Sequence, residues 1–224
     1  MANIAVVYHS GGGNTAVLAE AIGNGAASVP GAKVSLQRIT SQQINAKLRW
    51  EDEGIAKELQ QADGIIFGCP TLMGMVSTPF KAFMEAAFMP WAKQAWKDKF
   101  AGGFTNSASI NGDKTNTQIQ LLVFAAQMGM LWVPMGDHPG NNWSGGSESD
   151  MNRLGAFLGP MSQPRASVAE EAAHSADLQT GFRYGQRFAS IVSHWTREGT
   201  HVTDRMFDAA TAAAIKAQAQ KAAK

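Results

Sequence analysis

Residues 6–22, VVYHSGGGNTAVLAEAI, place Ser10, three consecutive glycines (Gly11, Gly12, Gly13), Asn14 and Thr15 between an apolar run and the start of a helical pattern. A glycine-rich turn that leaves a strand and opens a helix presents free backbone N–H groups and the positive end of the helix dipole, and both favour an anion. Ser10, Asn14 and Thr15 add short side chains able to donate to phosphate oxygens, and the glycines let the backbone approach closely. No Lys or Arg lies in the stretch. The nucleotide P-loop needs Lys-Ser/Thr after its last glycine, and Asn14-Thr15 stands there instead, which argues against ATP and GTP. The dinucleotide fingerprint is met only in its alanine variant, at Ala16, and the next strand candidate ends in SLQRIT, with no carboxylate for a ribose. A phosphate monoester held without a cation is what such a loop suits.

The elements that must carry this loop follow from the apolar periodicity. Strand patterns cover residues 3–9, 33–39, 64–70, 100–106 and 130–136, most without in-out alternation, as expected where helices cover both faces of a sheet. Helical patterns cover 15–27, 54–61, 78–87, 115–128 and 178–195. Strand and helix in alternation imply parallel strands joined by right-handed crossovers, hence a three-layer α/β/α sandwich. Residues 41–53, polar and carrying Trp50, read as a surface excursion, and residues 137–163, rich in Gly, Asn, Ser and Pro, as a long loop after the fifth strand. Phe83, Phe88 and Trp91 read as a packed helix face. Two parts are expected, a core domain over 1–199 and an Ala/Lys-rich helical tail over 200–224.

Composition narrows the function classes. Nineteen basic and 18 acidic residues give a formal charge of +1, with no Lys/Arg cluster dense enough for a nucleic-acid footprint. A lone cysteine, Cys69, rules out an internal disulfide and a four-cysteine metal site, so no metal is expected and a reducing compartment fits. The opening MANIAVVYHS has no charged leader or cleavage site. The apolar stretch from Ile119 is broken by Gln, Gly and Pro, and reads as a helix running into a buried strand, not a membrane span. A soluble, cytoplasmic protein is expected.

The first loop also resembles that of the flavodoxin-like flavoproteins. Val6, Val7, Tyr8, Ser10, Gly13, Thr15, Ala19 and Ile22 fill every constrained position of their signature. A second stretch, FGCPTLMGMVSTPFKAFME from Phe67, resembles the loop after the third strand in the NAD(P)H:quinone reductase branch, and within it the tryptophan-repressor-binding-protein type. The resemblance implies a flavodoxin-like five-stranded parallel sheet of order 2-1-3-4-5 with FMN as cofactor, its phosphate held by Ser10, Gly11, Gly12, Gly13, Asn14, Thr15 and Ala16. Pro70, Thr71, Leu72, Met73 and Gly74 would run along the flavin edge. Thr105, Asn106, Ser107, Ala108, Ser109, Asn111 and Gly112 would wrap the ring and ribityl chain, in a loop with fewer glycines than its relatives carry.

The same resemblance implies an oxidoreductase that moves hydride from NAD(P)H through FMN to a quinone or similar small aromatic acceptor in ping-pong turnover, as a homodimer or homotetramer. It places Trp91 beside the substrate. The histidine that relatives often carry near the end of the next helix is replaced here by AAQMGM. His138, in GDHPG, and His9, at the end of the first strand, are the histidines that could line the pocket, and no catalytic side chain is assigned. A flavodoxin-type electron carrier and an FMN-binding regulator without turnover stand as alternatives, the carrier disfavoured by the balanced charge.

Overall fold

The computed structural model describes residues 1–164 and 174–198. Its strands are β1 (Ala2–His9), β2 (Ala32–Ile39), β3 (Gly64–Leu72), β4 (Met75–Val76), β5 (Phe100–Asn106), β6 (Leu131–Trp132) and β7 (Met161–Ser162). Its helices are α1 (Asn14–Ala27), α2 (Glu53–Gln61), α3 (Thr78–Ala86), α4 (Phe88–Ala92), α5 (Lys114–Gln127) and α6 (Ser175–Glu198). The main path of the sheet runs β2-β1-β3-β5-β6, all parallel, which is the expected 2-1-3-4-5 order when the hairpin strand β4 is left out.

Among the described residues the sheet has seven strands, the expected five-position path with extra short pieces. β4 folds back antiparallel on the end of β3. β6 pairs with the start of β5 at Phe100 and Ala101, and β7 pairs with its end at Thr105 and Asn106. The fifth position along the path is therefore shared by two short pieces, and the Gly/Asn/Ser-rich segment interrupts the strand where a loop after it was expected. The strand expected over 130–136 shrinks to two residues because Pro134 has no N–H to pair and Gly136 takes φ +81°.

Each face of the sheet has its own core. Ile4, Val6 and Ile66 pack with Leu18 and Ile22 of α1 and with Tyr184 and Phe188 of α6. Val7, Ile65 and Phe67 point the other way, onto Ile55 and Leu59 of α2, Phe80 and Phe83 of α3, and Phe124 of α5. This alternation along β1 and β3 is the two-residue period of a strand buried on both sides, and each large side chain removed from water contributes about 1.5–3 kcal/mol. α1 and α6 cross so closely that a Cβ on Gly185 would lie 2.0 Å from the Ile22 carbonyl oxygen.

The excursion over 41–53 is anchored, since Trp50 is buried and meets Phe83 edge-on with ring centroids 5.2 Å apart. Asp52 then caps α2, its Oδ1 accepting the Ile55 N–H at 2.9 Å. Phe88 departs from the packed-face expectation, being 61% exposed, because the chain breaks at Ala87 and restarts as the short α4 instead of continuing α3. The tail expected over 200–224 lies outside the described residues.

Because α1 carries the chain from β1 to β2 over one face and α2 carries it on to β3 over the other, a crevice opens at the carboxyl ends of β1 and β3. That switch point is where open α/β sheets bind ligands.

Candidate cofactor cleft

A cleft of about 330 Å³ occupies this crevice. Gly11, Gly12, Asn14 and Thr15 line one end, Pro70, Thr71 and Leu72 the floor and side, and Asn106, Ser107 and Ala108 the other side. Three stretches far apart in the chain thus meet, each at the carboxyl end of a parallel strand.

At the first loop, Gly13 adopts φ +91° and its carbonyl accepts the Ala16 and Val17 N–H groups, which starts α1 immediately after the glycines. The first-turn N–H groups of a helix have no acceptor within it and point out of its end. A Cβ on Gly12 would meet open space, so the loop rims the cleft without filling it. Ser10 is buried beneath, its Oγ accepting the Ala16 N–H at 3.2 Å, which leaves the hydroxyl hydrogen to donate. The Thr15 hydroxyl donates to Asn106 Oδ1 at 2.6 Å and so ties the first loop to the third. The loop has a cation in space though none in sequence: Arg38 on β2 reaches over to donate to the Ser10 carbonyl at 2.7 Å.

The second loop is a tight hairpin. Thr71 pairs with Val76 and Leu72 with Met75, leaving Met73 (φ +49°) and Gly74 (φ +77°) as a two-residue turn of the kind whose central residues both need positive φ. The Gly74 carbonyl accepts from Asn116 Nδ2 of α5 at 2.9 Å, which docks the hairpin. Beneath it, Thr71 Oγ1 lies 2.8 Å from both Thr105 Oγ1 and Thr117 Oγ1, and Thr105 donates to the Cys69 carbonyl at 2.7 Å. Burial pushes the Cys69 thiol up to about 12, so this cysteine is a packed neutral group and not a nucleophile.

The third loop leaves β5 at Asn106 and turns through Gly112 and Asp113, both with positive φ, into α5. It is shaped by a residue that sequence reasoning missed. Lys114, only 1% exposed, donates to Ser107 Oγ (3.0 Å), the Ser109 carbonyl (2.6 Å) and the Ile110 carbonyl (2.9 Å). Burial lowers its pKa to about 8 against the opposing effect of Asp177, a carboxylate already paired with Arg153 at 2.8 Å.

Ser10, Gly13, Ala16, Met73, Gly74, Thr105, Ser109, Asn111 and Gly112 border the cleft as neighbours in these loops without lining it. His9 does line it, with Nδ1 2.8 Å from Ser77 Oγ; burial and then the Arg38 charge lower its pKa. Pro164 lines it as well and carried no signal in the sequence. Two expected substrate contacts are not brought there within one chain. Trp91 sits on α4 against Phe88, ring centroids 5.7 Å apart, beside hollows lined by α4 and the end of α5. His138 is exposed in the segment between β6 and β7.

The residues present fit FMN. The Asn14 Oδ1 atom is buried and meets no hydrogen-bond donor among the described residues, so the ribityl hydroxyls would complete it. The helix end, the Ser10 hydroxyl and the open rim at Gly12 form a cradle for a phosphate. Among the described residues no three His, Cys, Asp or Glu side chains come together to hold a metal, and no helix is long and apolar enough to cross a membrane.

Sheet order, switch point and phosphate-type loop together define a flavodoxin-like α/β protein. Residues 3–142 match the family described as NADPH-dependent FMN reductase. The chain is 39% identical over 191 residues to a Pseudomonas aeruginosa protein named flavodoxin FldP, covering 85% of this chain and 97% of that one. It is 30% identical over 205 residues to an Archaeoglobus fulgidus NAD(P)H dehydrogenase (quinone), covering the same shares. Its fold is similar to the crystal structure of a flavodoxin, WrbA-like protein from Agrobacterium tumefaciens, at a TM-score of 0.66 and 37% identity, over 87% of this chain and 99% of that one. The chain belongs to the NADPH-dependent FMN reductase family, in its branch of WrbA-like flavodoxin-fold proteins, and is an FMN-binding oxidoreductase.

Proposed function

We propose that the protein is an NAD(P)H:quinone oxidoreductase, with FMN seated in the three-loop cleft and a quinone or similar small aromatic compound as acceptor. The observation that carries this reading is the meeting of the phosphate-type loop, the docked hairpin and the loop after β5 in one opening at the switch point. FMN, when bound, supplies two-electron hydride chemistry, and the protein orients it and sets its surroundings. The N–H groups at the start of α1 and the Ser10 hydroxyl take the phosphate. Backbone groups of residues 71–74 meet the ring edge, and residues 105–112 close over the other side.

A single opening serves donor and acceptor in turn, which makes turnover ping-pong. His9, hydrogen-bonded to Ser77 at the cleft wall, is the side chain placed to hold a proton there. The exposed apolar residues Leu72, Met73, Met75, Phe88, Met89 and Trp91 support assembly as a homodimer or homotetramer, in which Trp91 would meet a neighbour's cleft. The buried free thiol of Cys69 suits the cytoplasm.

The name of the Pseudomonas relative favours a second reading, a one-electron carrier. Steady-state assay of the FMN-loaded protein with NADH or NADPH and benzoquinone decides between them. Rapid oxidation of the nicotinamide only when acceptor is present, with parallel double-reciprocal plots, is expected. Absence of turnover with both nicotinamides, together with stepwise one-electron reduction by dithionite, would favour the carrier.

A further inference from the structure

The loop after β5 has few glycines, and its path is imposed by a buried cation. Lys114 stands at the first turn of α5 with all three ammonium protons directed at oxygens of residues 107, 109 and 110. Ser107 and Ala108 of the same loop line the cleft, so the ammonium sits directly behind the wall that a bound flavin would touch. The packing there is tight, since a Cβ on Gly112 would come within 2.3 Å of Ser107 Oγ. Gln163 Nε2 donates to the Ala108 carbonyl at 3.1 Å, and the Gln163 N–H donates to Asp177 Oδ2 at 2.9 Å, so the same cluster grips the loop from a second direction.

We propose that Lys114 is a positioning residue for the cofactor: its charged form holds residues 107–110 in the FMN-receptive path, and loss of that charge releases the loop and weakens FMN binding. This rests on the cleft being the FMN site.

The chemistry of the amine gives the reason. An ammonium satisfies three acceptors, whereas a neutral amine has two hydrogens and turns its lone pair toward the third oxygen. Ser109 and Ile110 are exposed, so their carbonyls take water when the lysine lets go, and the loop loosens without opening the core. The charged groups that face Lys114 are Asp177 of α6, which favours its proton, and Arg153 of the segment between β6 and β7, which opposes it. Those two neutralise each other as an ion pair, and the ammonium therefore feels burial most.

Linkage fixes the direction. The path of residues 107–110 that would receive FMN is the one the ammonium holds, so cofactor bound to that path favours the protonated lysine. If the cofactor raises the pKa of Lys114, the protonated protein binds the cofactor more tightly, and affinity falls as pH rises through the lysine's range.

The test is FMN affinity by fluorescence quenching between about pH 7 and 9 for wild type, K114R and K114M, with hydrogen exchange of residues 107–113 in the FMN-free proteins. In wild type the dissociation constant is expected to rise severalfold, with its inflection near 8, the value to which burial brings the lysine. K114M is expected to bind about tenfold more weakly at neutral pH, lose the inflection, exchange faster over 107–113 and keep its thermal midpoint. K114R, charged throughout, recovers part of the affinity and shows no inflection. A K114M protein with wild-type affinity and wild-type exchange overturns the proposal, as does an inflection that survives in it. If K114M does not fold, a pH-independent wild-type affinity overturns it equally. Wild-type protein that binds no FMN brings down the site assignment itself and the cofactor role of Lys114 with it, a result distinguishable from K114M matching a wild type that binds.

Discussion

Thr15 and Asn106, 91 residues apart in sequence, are joined by a 2.6 Å hydrogen bond from the Thr15 hydroxyl to Asn106 Oδ1, and both side chains are buried. The first turn of α1 is thereby tied to the end of β5, and with it the first loop of the cleft to the third. Replacing Thr15 with Val keeps the shape and removes the donor, stranding a buried acceptor. The expected loss is about 1–3 kcal/mol of unfolding free energy, read by denaturant titration of the FMN-free protein, with a weaker FMN complex alongside.

Ser10 tests the phosphate end separately. A carboxylate at this buried position, in Ser10→Glu, would face the phosphate across the loop, where like charges in a poorly solvated site repel strongly. The variant is expected to purify colourless and to stay so after incubation with excess FMN, as judged by the flavin absorption bands. A yellow Ser10→Glu protein with full occupancy would contradict the placement of the phosphate.

His9 provides a pH signature. Burial, reinforced by the Arg38 charge, holds its imidazole below the ordinary 6.5 in the folded protein. The unfolded chain therefore takes up its proton first as pH falls, and the stability contributed by His9 is present above 6.5 and is lost as pH drops toward the folded value. The expected result is that the difference in unfolding free energy between wild type and His9→Asn narrows as pH is lowered below 6.5. A constant difference across that window would contradict it.

Trp50 shows how a polar stretch can hide a core residue. Its indole closes the base of the 41–53 segment against Phe83 and donates from Nε1 to Gln43 Oε1 at 3.2 Å. Trp50→Ala is expected to cost about 3–5 kcal/mol and to lower the thermal midpoint by several degrees, measured by calorimetry.

The strand segments and the helices α1, α2 and α5 were legible as short apolar runs alternating with longer helical patterns, whereas the order of the sheet followed only from the resemblance that the first two loops carry. The first two loops of the cleft were legible locally, Gly11 to Thr15 as a glycine-rich turn from strand to helix and Pro70 to Gly74 through the resemblance that stretch carries. The rest depends on residues that meet only in three dimensions. Arg38 belongs to a neighbouring strand, and only the parallel register that sets it beside Tyr8 brings it to Ser10. Lys114 reads as an ordinary helix-surface lysine until the fold buries it. The split of the fifth strand into β6 and β7 was hidden because two-residue strands are too short to carry any period.

Whether the first loop grips the phosphate of FMN is read by titrating the FMN-free protein with FMN and with riboflavin under the same conditions. One-to-one binding of FMN is expected, at least about 100-fold tighter than riboflavin, because riboflavin lacks the phosphate and forfeits two or more charge-assisted hydrogen bonds. Equal affinity for the two flavins, or no binding of either, would contradict it.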